Sequence, residues 1–210
     1  MRRLPVVLAL LAGCAGLNDR VATGGREPTS ETIGSWHVRE AADALRAARI
    51  EWDWRPDRNP RHRHAEEDLR RFAVAVDVLR ADGLKWARGA ANPGCAAAGI
   101  CTGARYTLPH EGKDRAPDLL LYEDGGVLVA VVEVETAEAL ETPSKLGREA
   151  AGRDGDGGWT AYGAMARREG STFFVLLPDD LPVERLAEAR TRAESLGARV
   201  LMYRDPVSRK

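Results

Sequence analysis

The 210-residue chain reads as an α/β protein, a three-layer sandwich with a central mixed β-sheet flanked by helices. Three observations predict this. Short apolar runs rich in Val, Leu and Phe recur late in the chain, at residues 118–124, 127–135, 171–178 and 198–204. Amphipathic stretches of helical length separate most of them. The first two runs are joined only through Gly125-Gly126, which implies an antiparallel hairpin, whereas helical crossovers imply parallel neighbours. Hydrophobic residues make up 44% and charged residues 30%, which is enough apolar material for a core and too much for a disordered chain. The net charge of -1 excludes coating of nucleic acid by overall charge, but leaves room for a local basic patch.

In chain order, Met1-Arg2-Arg3 is cationic and Leu4 to Ala12 is apolar, too short to span a bilayer as a helix. Leu11-Ala12-Gly13-Cys14 follows. This resembles a bacterial lipoprotein signal peptide with its lipobox over residues 1–14, which implies lipid modification at Cys14 and a membrane-anchored place in the cell envelope. A misjudged start codon would instead leave the protein in the cytoplasm. Residues 15–34 are polar, bear Gly, Ser, Thr and Pro, and lack a hydrophobic period, as a flexible tether does. Residues 35–210 then form one domain.

Ser35 is a cap for a helix from about Trp36 to Ile50, with Val38, Ala42 and Leu45 on one face. "EWDWRPDRNPRHRH" is an irregular loop carrying Arg55, Arg58, Arg61 and Arg63. A strong helix runs from about Ala65 to Ala81, with Leu69, Phe72, Val76 and Leu79 in phase. Leu84 to Ala90 is expected as a first strand. In "NPGCAAAGIC", Cys95 and Cys101 could close a disulfide in an oxidising compartment, join His62 and His64 around zinc, or stay free thiols. Residues 137–153 are partly helical, "DGDGG" interrupts, and "WTAYGAMARRE" is another helix. "STFFVLLP", "LPVERLAEARTRAESLG" and "ARVLMYR" close the chain as strand, helix and strand.

The chemistry concentrates on one strand. Alternation sets Glu133 and Glu135 on the same face as Val129 and Val131, with Leu128, Ala130, Val132 and Val134 opposite. Two carboxylates so placed repel unless positive charge stands beside them. The Gly125-Gly126 turn brings Asp118 across from Glu133. Oxygen clusters of this kind suit hard cations such as Mg or Mn, which polarise phosphates and activate water.

Pro117-Asp118, the hairpin and Glu133-Val134-Glu135 together resemble the PD-(D/E)xK nuclease superfamily. The resemblance covers about residues 60–205, including the order of helix, strand meander, helix and strand. It implies a restriction-endonuclease-like fold and a metal-dependent phosphodiesterase acting on nucleic acid. Asp118 and Glu133 would bind the metal, with an acid on the preceding helix, Glu66 before Glu67, completing the site. Glu135 stands where the family usually has lysine, the residue that positions the attacking water. Lys145 is then the nearest downstream lysine to supply the charge, and Lys113 and Arg115 lie just before Asp118. The arginines from Arg55 to Arg71 would track phosphates. The missing lysine and the lipobox also fit a different expectation: a catalytically inactive, lipid-anchored module that binds another envelope component.

Overall fold

The computed structural model describes residues 36–52, 62–93, 107–151 and 158–207. Cys14, Cys95, Cys101 and the basic loop from Arg55 to Arg61 lie outside them, as do the side chains of His62 and His64. In chain order the elements are α1 (Trp36–Ala47), β1 (Ile50–Trp52), α2 (His62–Ala81), β2 (Arg88–Ala91), β3 (Leu108–His110), β4 (Lys113–Arg115), β5 (Leu119–Tyr122), β6 (Leu128–Val134), α3 (Ala137–Leu140), α4 (Pro143–Ala151), α5 (Trp159–Glu169), β7 (Thr172–Pro178), α6 (Val183–Ser195) and β8 (Arg199–Tyr203).

Six strands form one mixed sheet in the order β1-β2-β5-β6-β7-β8. β5 pairs antiparallel with both β2 and β6, while β1–β2, β6–β7 and β7–β8 are parallel. One face buries Val38, Leu45, Leu69, Phe72 and Leu79 of α1 and α2 against Leu119, Leu121, Val132 and Leu176. The other buries Leu140, Leu146, Trp159, Met165 and Ala189 of α3 to α6 against Leu120, Val131, Val175 and Leu177. These two apolar layers make the three-layer α/β sandwich. The central strands β5 and β7 are apolar on both faces because helices cover both.

Two elements depart from the sequence reading. The first helix stops at Ala47, and Ile50–Trp52 becomes an edge strand with Ile50 and Trp52 buried and Glu51 exposed. Three residues are too few to show a period, and Arg49 adopts a left-handed φ of 57° that ends the helix. The hairpin β3–β4 was also not foreseen. Its turn, Glu111-Gly112, has φ of 51° and 74°, as a tight two-residue hairpin turn requires, but the apolar alternation that announces strands is missing there. The expected first strand begins only at Arg88.

The face assignment on β6 also needs one correction. Leu121 pairs with Ala130, but Tyr122 pairs with Leu128, so Val129 is an extra residue. This bulge turns Leu128 to the α5 layer and Val129 toward the α1–α2 layer, against simple alternation. From Ala130 onward alternation resumes, and Glu133 and Glu135 follow Val131.

Helix α5 lies close to the chain that leaves α6. A Cβ on Gly163 would sit 2.8 Å from the Leu196 carbonyl oxygen, which already accepts from Arg167 Nη1 at 2.8 Å. Alanine gains about 1 kcal/mol of helix propensity over glycine, but overpacking against backbone costs about 1–3 kcal/mol. Gly163→Ala should therefore lower the denaturant midpoint; a raised midpoint would show that the helix moves away freely.

Candidate active site

The candidate site forms where β5 begins and β6 ends. The register Leu119↔Val132 places Asp118 across from Glu133. Each acid then meets the other strand's backbone. The Val134 N–H donates to Asp118 Oδ2 at 2.8 Å, and the Asp118 N–H donates to Glu133 Oε2 at 3.3 Å. Asn92, buried beyond β2, fixes the start of β5 from the other side. Its Nδ2 donates to the Pro117 carbonyl at 2.7 Å and its N–H to the Asp118 carbonyl at 3.0 Å. Pro117 lies before β5 begins, so its carbonyl is satisfied by the Asn92 side chain rather than by a ladder N–H. Both Asp118 and Glu133 are half-buried.

Glu135 differs. It is only 5% exposed, and Trp159 Nε1 donates to its Oε1 at 2.6 Å. Its main chain is held from two further directions, by Tyr203 Oη donating to its carbonyl at 2.6 Å and by its N–H donating to Leu176 O at 3.0 Å. Burial and neighbouring acids lift the proton affinity of all three. Burial raises Asp118 to about 8, helped by Asp68 and opposed by the Val134 N–H and Arg71. Burial, then Asp118 and Glu135, raise Glu133 well above the usual carboxylate range. Burial, then Glu149, raise Glu135 to about 8 against the indole hydrogen bond.

The surroundings alter the expected cast. The acid of α2 that acts on Asp118 is Asp68, and Glu66 is not among the principal charges there. The helical phase explains this: Asp68 stands four residues before buried Phe72 and three after buried Ala65, along the edge that faces the sheet. Arg71, 11% exposed, does not lie on a phosphate track. It pairs with Asp68 at 3.2 Å and with both oxygens of buried Asp205, its Nε lying 3.2 and 3.1 Å from them. Lys145 points elsewhere: its Nζ bonds Glu141 Oε2 at 2.9 Å on the exposed side of α4. That same helix carries Glu149 toward the site, so it brings an acid rather than the sought lysine. Arg115, 7% exposed at the end of β4, supplies positive charge near Tyr162, which in turn feels Glu133 and Asp118. Tyr162 is buried beside Trp159, as their shared helical face implies, and burial and the acids keep its hydroxyl protonated.

Asp68, Glu149, Tyr203, Asp205 and Asn92 were not legible as site neighbours. Asp68 had a signal in its spacing to Phe72. The others reach the site through crossovers and loops that no local pattern encodes.

Among the described residues, no group of three or more His, Cys, Asp or Glu side chains is arranged to hold a metal ion. That disfavours a closed cage of protein ligands. A Mg-type site asks less, since such ions are held by one or two carboxylates and keep several waters. Asp118 and Glu133 offer that donor set: hard oxygens, half-buried, and electrostatically short of a cation. No helix among the described residues is long and apolar enough to cross a membrane. Comparison with protein-family models, curated proteins and solved structures finds no match to this chain.

Since no arginine or lysine is bonded to Asp118 or Glu133 among the described residues, the positive charge has to come from farther away. Arg71 is the principal cation felt by Asp118, Arg115 acts on the neighbouring Tyr162, and Lys145 is not among the principal charges at either acid. Lys145→Ala is therefore expected to leave ion binding unchanged within a factor of about two, because an exposed i,i+4 pair contributes little. A large loss on titration of that variant would restore Lys145 to the site.

Proposed function

We propose that the protein is a metal-dependent phosphodiesterase of nuclease type acting on nucleic acid. The observation that carries the reading is the Asp118–Glu133 pair, two half-buried carboxylates at the facing ends of two antiparallel neighbours, one just before β5 and one on β6, each meeting the other's backbone. In this reading Asp118 and Glu133 hold Mg or Mn, and the ion, when bound, polarises the phosphate and lowers the pKa of a water. The chain's own residues set the stage. Asn92 and Val134 fix Asp118, Trp159 and Tyr203 fix Glu135 one residue beyond Val134, and Arg71 offsets part of the charge at Asp118 while Arg115 does so at Tyr162. The resemblance to PD-(D/E)xK nucleases supports the same assignment of Asp118 and Glu133. Glu135 in place of lysine is then a positioning group whose buried carboxyl carries the proton, and its contact with Trp159 gives it one orientation.

A second reading has its own observation. Glu135 is locked away under Trp159, and Lys145 is committed to Glu141, so no lysine amine serves the pair among the described residues. A domain of this kind that has lost catalysis could keep the fold, and even the ion, as a binding module; with a lipid at Cys14 it would act at the cell envelope. Incubation of the full chain with Mg or Mn and labelled single- and double-stranded DNA and RNA separates the two. Cleavage that disappears in Asp118→Asn supports the enzyme. Ion binding without cleavage of any substrate supports the module.

A further inference from the structure

We propose that a groove at the opposite end of the sheet from the carboxylates binds a phosphoryl group, free or carried on a nucleic-acid strand. The register places it. Ala91 of β2 pairs with Leu119 next to Asp118, whereas Arg88 pairs with Tyr122 at the far end. Beyond that far end, the turns after α1 and α2 enclose an open cavity of about 530 Å³. Arg49, Arg80 and Lys85 line it together with Trp86, and no acid does. The neighbouring recess, about 610 Å³, shares Arg49 and Ala87 with it but mixes Arg46 and Arg88 with Glu51, Glu123 and Asp124. The acid-free part is therefore where an anion is drawn.

The cations are available. Arg49, Arg80 and Lys85 are all exposed, and among the described residues none of them is in an ion pair. Asp82, on the turn that follows Arg80, is taken by Arg199 at 2.5 Å. The groove also has a fixed floor. Trp86 Nε1 donates to the Ala48 carbonyl at 2.9 Å, and the Arg80 guanidinium lies 5.3 Å from the centre of its ring. Arg49 holds its place in a left-handed conformation (φ 57°), where glycine or asparagine sits more easily. Its carbonyl accepts from the Gly89 N–H at 2.8 Å, which ties that turn to β2. Three cations with no carboxylate partner among the described residues, around one cavity on a chain with a net charge of -1, form a local anion-attracting field that composition does not reveal.

The inference does not depend on the metal site, so it is tested in EDTA. The full chain is titrated into a fluorescein-labelled single-stranded oligonucleotide at several salt concentrations, as wild type, Lys85→Gln and Arg49→Asn/Lys85→Gln. Asparagine tolerates the left-handed turn, and Lys85 is exposed, so the single variant remains informative if the double variant folds poorly. The double variant should bind about tenfold more weakly, and the slope of log K against log salt should fall by about two; for Lys85→Gln alone it should fall by about one. Displacement of the probe by inorganic pyrophosphate identifies a free phosphoryl site, and displacement by unlabelled oligonucleotide only identifies a strand site. Wild-type binding that is absent in EDTA, or affinity and salt slope unchanged in both variants, would overturn the proposal.

Discussion

Acidifying the metal-free protein from pH 8 toward pH 5 should make it more stable. Asp118 and Glu135 bind protons at about 8 in the folded chain, against 3.8 and 4.5 as ordinary values, and Glu133 is raised as well. Between those limits the folded state holds more protons than the unfolded state. Stability is thus fully present below about pH 4 and is lost as pH rises through the folded values near 8. Each such group contributes a slope of up to about 1.4 kcal/mol per pH unit, so three coupled acids outweigh the usual loss of carboxylate ion pairs at acid pH. Urea unfolding at four or five pH values in EDTA reads the slope. Glu135→Gln should flatten it and raise stability at pH 8, since an amide still accepts from Trp159 and needs no proton. A stability maximum at pH 7–8 in EDTA, unaltered by Glu135→Gln, would show that the three acids are ionised and solvated.

Trp159 is the second sensitive point. It is fully buried, its ring fills the layer beneath α5, and its indole N–H is the side-chain partner of Glu135. Trp159→Ala should cost about 3–5 kcal/mol, the range for a large buried aromatic. Trp159→Phe separates the two roles. It keeps much of the packing but leaves the Glu135 carboxyl buried without its donor, at about 1–3 kcal/mol. The Phe variant should therefore lose more stability at pH 8 than at pH 5, where Glu135 is protonated. An equal loss at both values would mean that packing alone explains Trp159.

The sequence carried the layers further than it carried the site. Period-3.6 runs such as Leu69, Phe72, Val76 and Leu79 and the apolar strand at 172–178 set the sandwich, because burial on one or two faces leaves a pattern in the chain. The turn at Gly125-Gly126 fixed the pairing of the two arms, and with it the meeting of Asp118 and Glu133. Short edge elements were lost: β1 has three residues, and β3–β4 owes its turn to Gly112 rather than to apolar alternation. The bulge at Val129 escaped for a similar reason, since one extra residue leaves composition unchanged.

Charge partners were the least legible. Lys145 stood at a plausible distance along the chain, yet a nearby Glu141 one helical turn earlier captures it. Arg71 belonged to a basic run that suggested phosphate contacts, but Asp205, 134 residues away, bonds it with both oxygens. Local spacing cannot disclose a partner brought in by the last loop of the fold. Glu66 and Asp68 illustrate the same limit on a smaller scale, since a two-residue difference in helical phase decides which acid faces Asp118.

The central claim is that Asp118 and Glu133 hold a divalent ion, and calorimetric titration of Mn into the full chain tests it most directly. Wild type and Asp118→Asn would be compared at pH 8 after removal of metal. The account predicts one bound ion per chain in wild type and loss of that binding in Asp118→Asn, with both proteins folded. Equal binding by the two, or no binding by wild type at millimolar Mn, would contradict it.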